Sequence, residues 1–453
     1  MKNLIQKYNV PGPRYTSYPT VPFWKNPELT ESQWLQSIAR NQTEFSDTKM
    51  SVYVHLPYCE NLCTFCGCHK RITKNHAVEA PYIDTVIKEW ELYKAAMDFE
   101  PQIKELHFGG GTPTFFQADE LIRLVKTLFN EESVDPEKVE LSFEAHPNNT
   151  SDEHLQKLFD FGFRRLSLGI QDYSPTVQKT INRIQPFEEV KKVHDQAVAV
   201  GYTSISHDLV FGLPKQQLED IIDTVNKTLI LKPDRISLYS YAHVPWIKGN
   251  GQRGYNESDL PKDHEKRALY VKAKSMLEEA GYIEIGMDHF ALPHDSLSIA
   301  FKEKELHRNF MGYTTQKTNF LLGLGMSAIS DSWFGFAQNE KSVEEYTKRV
   351  QNGEVPIFRG HILSKLDIEI RQHILDLMCH FSTKIKLGGS IEPIIPEIKE
   401  RLNEMLEDGL IEINENEITV TNDGIPFVRN CCMAFDQDLK PSMERENLFS
   451  KTI

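Results

Sequence analysis

The sequence predicts an α/β protein built on an open, partial (β/α)6 barrel of the TIM type, with an N-terminal arm and a mostly helical, winged-helix-like C-terminal domain. Short β-prone runs alternate with amphipathic segments from about residue 49, which is typical of βαβ units and a parallel sheet. The alternation occurs six times and is lost beyond about residue 340. We therefore predict an arm over 1–48, a barrel domain over 49–338 and a C-terminal domain over 339–453.

The six β-prone runs are predicted to be barrel strands because a helical pattern separates each run from the next. The helix after the third run is expected over Thr150–Phe161, with a capping box formed by Thr150 and Glu153 and an end at Gly162. Six units suggest a (β/α)8 barrel short of two repeats, and a flat doubly wound sheet is the alternative. The runs are SVYVHL (51–56), KELHFG (104–109), KVELSFEA (138–145), RRLSLGIQ (164–171), TSISHDLVFG (203–212) and DRISLYSYA (234–242).

The segments on either side of the barrel have different patterns. Prolines, tyrosines and a short polar helix over Glu31–Arg40 make the N-terminal segment an arm rather than a domain. In the C-terminal part, helices over Ile368–Phe381 and Ile394–Asp408 precede the hairpin pattern GLIEINENEITVTNDG (409–424), which together look like a winged helix. Its acidic stretch, Glu397–Glu417, favours a packing or lid role over DNA binding.

Composition and charge argue against several classes of function. The chain has 453 residues, of which 40% are hydrophobic and 26% charged, as in an ordinary globular protein. No apolar run approaches the roughly 20 residues of a membrane helix, and the start shows no secretory signal, so we expect a cytoplasmic protein without a membrane partner. The net charge of −14 argues against nucleic acid as a partner. An anionic substrate would therefore need local arginines or lysines.

Four of the seven cysteines lie close together in YCENLCTFCGCHK (58–70). Cys59, Cys63 and Cys66 have the spacing C-x3-C-x2-C, and Cys68 follows after one glycine. Thiolates bind zinc and iron–sulfur clusters alike. Structural zinc usually takes pairs of ligands from two separated segments, however, and no second C-x-x-C exists. A [4Fe–4S] cluster held by three cysteines leaves one iron free to bind a small molecule.

Two motifs together resemble the radical S-adenosylmethionine (SAM) family. They are C-x3-C-x2-C with Phe65 before its last cysteine and the glycine segment FGGGTPT (108–114) after the second strand. Further segments from the arm to the tail look like the oxygen-independent coproporphyrinogen III oxidase (dehydrogenase) family, and the GYTTQ and Cys-Gly-Cys elements separate it from more distant relatives. These segments are GPRYTSYPT (12–20), CTFCGCHK (63–70), GIQDY (169–173), INRIQ (181–185), DLVFGLP (208–214), YAHVP (241–245), GMDHFA (286–291), HRNFMGYTTQ (307–316) and GLGMSAIS (323–330).

The resemblance implies a catalytic barrel of the radical SAM type and gives roles to the cysteines. Cys59, Cys63 and Cys66 would bind a [4Fe–4S] cluster, whereas Cys68 would lie close to the active site without being a ligand. Tyr53 lies on the first strand and would contact the SAM on the cluster. Cys68 and Tyr53 are therefore the predicted catalytic side chains.

The resemblance also implies that two SAM molecules bind near the carboxyl ends of the strands, where barrel enzymes place their chemistry. Glycines of the second loop would let the backbone approach the amino-acid end of SAM, and Arg183, expected on a helix beyond the fourth strand, would meet the carboxylate of the second SAM. His146 departs from the family pattern, which has an acidic or amide residue there. The predicted SAM contacts are Tyr53, Phe65, Gly110, Gly111, Thr112, Glu144, Gln171, Arg183, Asp208, Ala242 and Ile329.

The reaction implied by the resemblance converts two propionate side chains of coproporphyrinogen III to vinyl groups, giving protoporphyrinogen IX, through a 5′-deoxyadenosyl radical made from SAM. It needs an electron donor and an electron acceptor that the sequence does not identify, and we expect a monomer. Arg14 and Arg308 are candidates to bind the substrate carboxylates. The alternatives are a radical SAM methyltransferase that opens haem and a haem chaperone, and the Cys-Gly-Cys element, the long arm and GYTTQ argue against the chaperone.

Overall fold

A computed structural model describes residues 2–24, 29–46, 49–245, 251–252, 254–439 and 448–452. Twelve of the strands form one large sheet. In chain order they are β1 (Lys49–Leu56), β2 (Gln102–Gly110), β3 (Glu140–Ala145), β4 (Arg165–Gln171), β5 (Ser204–Phe211), β6 (Arg235–Ser240), β7 (Ile283–Ile285), β8 (His289–Ala291), β9 (Leu321–Leu324), β10 (Ile329–Asp331), β11 (Gly335–Asn339) and β12 (Ile357–Ile362).

The order of these strands distinguishes a partial barrel from a doubly wound sheet. From one edge to the other it is β12-β11-β10-β9-β1-β2-β3-β4-β5-β6-β8-β7. The six predicted strands β1–β6 are hydrogen-bonded in parallel, each next to its successor in the chain. In a doubly wound sheet, the second half of the strands would be added on the other side of the first strand, so the strand order would reverse. The predicted open (β/α)6 barrel is therefore confirmed, and β9 extends its parallel part beyond β1.

A helix follows each barrel strand, because the amphipathic segments cover the outer face of the sheet. The helices are α1 (Lys2–Tyr8), α2 (Glu31–Phe45), α3 (Glu79–Ala96), α4 (Ala118–Phe129), α5 (Asp152–Phe161), α6 (Pro175–Thr180), α7 (Phe187–Val200), α8 (Leu218–Leu231), α9 (Asp263–Glu279), α10 (Ser296–Glu303), α11 (Val343–Gln351), α12 (Lys365–His380), α13 (Ile395–Glu407) and α14 (Val428–Phe435).

The predicted capping box of α5 is wrong by one position. Ser151 is the N-cap residue, and it exchanges hydrogen bonds with His154 rather than Glu153. The Thr150 hydroxyl instead donates to the carbonyl of His146 at 2.9 Å, which uses it in the loop before the helix. The predicted end of the helix at Gly162 is confirmed, since this glycine has φ 136° and donates to the carbonyl of Leu158.

The amino-terminal end of the barrel is closed by the GYTTQ segment. Thr314 and Ser51 both donate hydrogen bonds to the buried carboxylate of Glu105 on β2, at 2.7 and 2.8 Å. Thr315 donates to Glu140 at the start of β3 at 3.0 Å, and Arg165 on β4 forms an ion pair with the same carboxylate. Polar side chains therefore fill the barrel at the amino-terminal ends of the strands, and the barrel is open at their carboxyl ends.

The C-terminal part forms a separate hydrophobic cluster around α12, α13 and α14. The predicted hairpin is present as Ile411–Asn414 and Glu417–Val420, and Ser382–Lys384 adds a third antiparallel strand directly after α12. Helices followed by a small antiparallel sheet match the predicted winged-helix-like arrangement.

The N-terminal arm joins the two parts of the protein. Trp34 and Ile38 of α2 pack into the core of the barrel, whereas Tyr8, Tyr15 and Tyr18 pack into the C-terminal cluster. The Tyr15 hydroxyl donates to the carboxylate of Asp436 at 3.0 Å. The predicted domain boundaries between residues 48 and 49 and between residues 338 and 339 remain predictions. The arm shares both cores, and β12 continues the large sheet past residue 338.

We expect Tyr15→Ala to lower the free energy of unfolding by about 3–5 kcal/mol, because it removes a buried aromatic ring from the C-terminal core. Tyr15→Phe keeps the ring and loses only the hydrogen bond to Asp436, so it should cost about 1 kcal/mol. Urea denaturation followed by circular dichroism would measure both changes. Equal midpoints for wild type and Tyr15→Ala would contradict the packing of the arm.

Candidate active site

The four clustered cysteines lie on one loop directly after β1. Tyr58–Cys59 pairs with Arg71–Ile72, which closes the loop at its base. Its outer part is held by the segment after α6. The side-chain amide of Asn182 donates to the carbonyl of Leu62 at 2.8 Å, and the Thr64 amide donates to the carbonyl of Ile181 at 2.9 Å. These contacts fix the cysteines at the carboxyl end of the barrel.

Cys59, Cys63 and Cys66 line one pocket, and polar groups approach their sulfur atoms. The Thr112 hydroxyl lies 3.3 Å from Sγ of Cys59, and Nη1 of Arg183 lies 3.7 Å from Sγ of Cys63. Such donors stabilise a thiolate and orient it towards a metal. Cys68 is exposed, and the described lining of this pocket does not include it.

The arrangement of the three thiols is compatible with an iron–sulfur cluster. Among the described residues, no three His, Cys, Asp or Glu side chains form a group that could hold one metal ion. A cluster binds each thiolate at a different iron, so its sulfur ligands need not converge on one point. Three thiols around one pocket, with the donors of Thr112 and Arg183, would suit such a cluster.

The glycine segment packs against the end of β1. Gly110 has φ 113°, and a Cβ at this position would lie 2.7 Å from the ring of His55. A Cβ on Gly111 would lie 2.5 Å from the carbonyl oxygen of Pro57. The amide of Thr112 donates to the carbonyl of Tyr58 at 3.0 Å, which ties this loop to the cysteine loop. The glycines are therefore required by packing, and they bring Gly111 and Thr112 to the cysteine pocket.

Tyr53 and Glu144 belong to one group of side chains joined by hydrogen bonds and ring stacking inside the barrel. The Tyr53 hydroxyl lies 3.1 Å from Nδ1 of His55, and its ring stacks on His107 of β2. Nε2 of His107 lies 3.6 Å from the Glu144 carboxylate, which also accepts a hydrogen bond from the Gly110 amide at 3.1 Å. Burial alone would raise the pKa of Glu144, but the contacts with His107 and Gly110 lower it below its usual value. Glu144 therefore presents an ionised acceptor.

Gln171, Arg183 and Asp208 meet around Gly169 of β4. A Cβ on Gly169 would lie 2.7 Å from the Arg183 guanidinium and 2.8 Å from the Gln171 side-chain amide, and Asp208 is the register partner of Gly169 on β5. Asp208 accepts a hydrogen bond from Ser167 at 2.8 Å, and burial raises its pKa to about 6. These predicted residues are thus neighbours.

The predicted location of Arg183 on a helix is wrong. It lies in the loop between α6 and α7, and its guanidinium donates to the carbonyl of Gly169 at 2.7 Å and to the side chain of Gln185 at 3.1 Å. Among the described residues Arg183 has no carboxylate partner. From this loop, Arg183 reaches the space between the cysteine pocket and Gly169. A position on α6 would not by itself place it there.

Phe65, Ala242 and Ile329 occupy three sides of this region. Nε2 of Gln252 donates to the carbonyls of both Phe65 and Ala242, at 3.1 and 3.0 Å, and so links the cysteine loop to the segment after β6. Ile329 begins β10 beside Gly323, which is the register partner of Tyr53. The glycine leaves space for the Ile329 backbone, because a Cβ there would lie 2.5 Å from its carbonyl oxygen.

His146, the departure from the expected pattern, also lines the cysteine pocket. Its Nδ1 accepts a hydrogen bond from the Asn148 amide at 3.2 Å. Burial, with the nearby charge of Arg183, lowers the pKa of His146 far below its usual value, so the ring is neutral. It therefore supplies no charge to the site, unlike an acidic residue, which is one of the two residue types (acidic or amide) expected there.

The two arginines predicted to bind substrate differ in their partners. Arg14 forms an ion pair with Asp288, so its charge is already compensated. Arg308 is buried, with its guanidinium 4.4 Å from the centre of the Tyr313 ring, and it donates to the carbonyl of Arg14 at 3.4 Å. Within the described part of the chain its Nε has no hydrogen-bond partner.

Several contacts in the site were not predicted from the sequence. Lys70 donates to the carbonyls of Cys66 and Cys68 at 3.3 and 3.2 Å, and Gln252 and His107 act as described above. Lys70 follows the cysteines in the CHK sequence, and His107 is on the same face of β2 as Glu105. The local sequence could therefore have suggested both as site residues. Gln252 had none, because its partner Phe65 is 187 residues away in the chain.

Comparison with known proteins gives consistent matches. The sequence model of the Radical SAM superfamily matches residues 53–228. The oxygen-independent coproporphyrinogen III oxidase of Salmonella typhimurium is 37% identical over 455 residues, which cover 99% of this chain and 98% of the relative. That of Helicobacter pylori strain J99 is 38% identical over 457 residues, with 99% and 98% covered. The solved structure of coproporphyrinogen III oxidase from Escherichia coli, described as a radical SAM enzyme, has a TM-score of 0.89, 36% identity, and coverage of 97% of this chain and 99% of that one.

Proposed function

The chain belongs to the oxygen-independent coproporphyrinogen III oxidase family of radical SAM enzymes, and from this premise we propose how its residues share the reaction. It is an enzyme that oxidatively decarboxylates two propionate side chains of coproporphyrinogen III to vinyl groups, giving protoporphyrinogen IX. It uses a [4Fe–4S] cluster and SAM. Identity over nearly the full length of the curated oxidases does not favour a haem-opening methyltransferase or a haem chaperone.

The observation that carries the assignment of residues is the pocket lined by Cys59, Cys63 and Cys66 beside the glycine segment. When bound, the cluster and SAM supply the one-electron chemistry that removes a hydrogen atom from a propionate. We propose that these three thiolates hold the cluster and that Thr112 stabilises the charge on Cys59 through its hydroxyl. We propose that the exposed Cys68, whose thiol hydrogen-bonds with that of Cys66, acts on the substrate and is not a ligand of iron.

We propose that Glu144 and Tyr53 orient the SAM on the cluster. Glu144 is an ionised acceptor, which suits the hydroxyl groups of a ribose. Tyr53 is held by His55 and His107, so its ring has a fixed position inside the barrel. Phe65, Gly110, Gly111, Ala242 and Ile329 would supply backbone and apolar contacts around the same ligand. These residues bind and position, and they exclude water from the reacting atoms.

A second SAM is proposed to bind where Gln171, Arg183 and Asp208 meet around Gly169. An amino-acid zwitterion needs a cation for its carboxylate and an acceptor for its ammonium group. Arg183 and Asp208 provide these charges, and Arg183 has no described carboxylate of the protein to satisfy it. Two propionates must react, so two bound SAM molecules would supply one equivalent for each step.

The remaining properties are also proposals. We propose that the enzyme is a cytoplasmic monomer, that a separate one-electron donor reduces the cluster, and that a separate acceptor takes up the electrons released with CO2. The free state of all seven cysteines fits a reducing compartment. The net charge of −14 makes nucleic acid or an anionic membrane surface an unfavourable partner. No helix in the described part of the chain is long and apolar enough to cross a membrane.

The function and its stoichiometry are tested by one anaerobic assay. We expect the reconstituted enzyme, supplied with dithionite as electron donor, an added electron acceptor, SAM and coproporphyrinogen III, to yield two 5′-deoxyadenosines and two CO2 per protoporphyrinogen IX. Chromatography of the tetrapyrroles and nucleosides, with ¹⁴C-labelled propionate carboxyls for CO2, would measure all three. Omitting SAM is the control. No protoporphyrinogen would refute the function, and a ratio of one 5′-deoxyadenosine per finished product would refute the two-SAM proposal alone.

A further inference from the structure

A second cavity, of about 110 Å³, opens at the carboxyl ends of β5 and β6, where Phe211 and Ser240 reach its wall. Its other walls come from four parts of the chain: the arm at Arg14, the helix α9, the segment 284–288, and the C-terminal segment at Arg429 and Lys451. The cavity therefore lies at the same end of the barrel as the cysteine loop. It is formed only when the arm and the C-terminal part pack onto the barrel.

The charges around this cavity do not balance. Six cationic side chains line it, and three carboxylates line it, namely those of Asp263, Glu284 and Asp288. Each carboxylate already has one cation: Asp288 pairs with Arg14, Glu284 with Lys274, and Asp263 with Lys451. Three cations, Lys266, Arg267 and Arg429, are left without an ion pair among the described residues. We call this cavity, with these three cations, the basic vestibule.

The three cations are positioned by neutral groups. The Lys266 ammonium donates to the carbonyl of Tyr241 at 2.8 Å, and its stem fills the space that a Cβ on Gly212 would occupy. Arg429 is buried and donates only to backbone carbonyls in its described contacts, among them that of Pro13 at 2.8 Å. Nε of Arg267 has no hydrogen-bond partner among the described residues. Hydrogen bonds to carbonyls orient Lys266 and Arg429, and the Arg267 guanidinium lies 5.0 Å from the centre of the Tyr270 ring; these neutral contacts leave the positive charges uncompensated.

Uncompensated charge of one sign is costly in a partly buried site unless a ligand supplies the opposite charge. The excess is positive, although the whole chain carries −14. Burial is the main cause that lowers the pKa of Lys266 to about 8; Asp263 opposes the shift, and the neighbouring charges of Arg14, Lys451 and Arg429 add to it. A bound anion would remove this destabilisation. The site therefore favours an anionic ligand with more than one negative group.

We propose that the basic vestibule binds carboxylates of the propionate side chains of coproporphyrinogen that are not reacting. The inference rests on the proposed function, since the substrate carries four carboxylates and only one reacts at a time. The contact between the two regions is short: Lys266 bonds to Tyr241, and the next residue, Ala242, is joined through Gln252 to Phe65 of the cysteine loop. Anchoring distant carboxylates here would hold the reacting propionate at the cluster side of the barrel.

Binding of coproporphyrin III, the stable fluorescent tetracarboxylate, tests the proposal without turnover. We expect the double variant Lys266→Met/Arg267→Met to weaken its binding about tenfold or more, because two charge-assisted contacts are lost while the side-chain stems remain. The matched control is Lys272→Met, which removes an exposed lysine from the same helix α9. Fluorescence titration of the reconstituted full-length enzymes, with coproporphyrin III tetramethyl ester as the uncharged probe, would measure the change. The ester should bind wild type and the double variant equally.

Turnover separates this inference from the proposed function. We expect the double variant to keep its cluster absorbance and to show a raised KM for coproporphyrinogen III, while Lys272→Met matches wild type in both assays. Wild-type affinity for coproporphyrin III in the double variant would overturn the inference, even if wild-type enzyme forms protoporphyrinogen IX. An equal loss of affinity for coproporphyrin III and for its tetramethyl ester would also overturn the inference. That pattern would indicate that the substitutions changed the shape of the cavity and not only its charge. Absence of product from wild type would refute the function instead.

Discussion

Cys59→Ser, Cys63→Ser and Cys66→Ser should each lose the iron of the cluster and reduce turnover to background, whereas Cys68→Ser should retain iron and lose turnover. The first three thiols line one pocket, and Thr112 and Arg183 approach two of them. A serine hydroxyl is a far poorer ligand for iron than a thiolate. Cys68 is exposed and lies outside the described lining of that pocket, although its thiol hydrogen-bonds with that of Cys66.

Iron content and visible absorption of the four anaerobically reconstituted variants would measure this difference. Cys379→Ser serves as the control, because this buried thiol lies in the separate cluster around Leu297 and Tyr313 and should leave both iron content and turnover near wild type. If Cys68→Ser lost as much iron as Cys66→Ser, the assignment of three ligands and one further thiol would be wrong. Full turnover by Cys68→Ser would instead remove its predicted catalytic role.

Arg183→Ala should bind one SAM per enzyme instead of two and lose the formation of protoporphyrinogen IX. The guanidinium lies between the cysteine pocket and Gly169, has no described carboxylate partner, and is the only cation proposed for the carboxylate of the second SAM. Loss of a charge-assisted, bidentate contact costs about 1.5–3 kcal/mol or more, which is a tenfold to hundredfold loss of affinity. Equilibrium dialysis with labelled SAM, together with product analysis, would measure both effects.

Two further variants sharpen this test. Arg183→Lys keeps the charge but loses the planar pair of donors, so we expect weakened binding of the second SAM rather than its loss. Lys179→Ala removes an exposed cation four residues away, on α6, and should behave as wild type. Wild-type turnover by Arg183→Ala, or one SAM bound by wild type itself, would contradict the second site.

The barrel could be predicted from the sequence because its signal is local. Each of the six predicted strands is present to within two residues at either end, since alternating β-prone runs between amphipathic helices have few other ways to pack. The errors are local as well. Thr150 and Ser151 are both good N-cap residues, and only the competing bond from Thr150 to the His146 carbonyl decides between them.

The site could be predicted only where its residues follow a motif or end a strand. The cysteine loop, the glycine segment and Glu144 meet this condition. The position of Arg183 could not be predicted, because a loop has no periodic sequence pattern. The pairing of Arg14 with Asp288 could not be predicted either, because 274 residues separate them in the chain. The cations of the basic vestibule were missed for the same reason. Lys266 and Arg267 look like ordinary charges on a surface helix until the arm and tail enclose them.

The packing of the arm into the C-terminal cluster affects the order in which the parts of the protein can fold during synthesis. The hydroxyl of Tyr15 meets a carboxylate 421 residues later in the chain, and the amide of Gly12 donates to the carbonyl of Ser450. At about 5–20 residues per second, the ribosome needs roughly 20–80 seconds between these partners. The barrel strands emerge within that interval and pair mainly with sequential neighbours. The arm can therefore take its final place only after the barrel and the C-terminal part have been synthesised, so its docking is expected to be a late folding step.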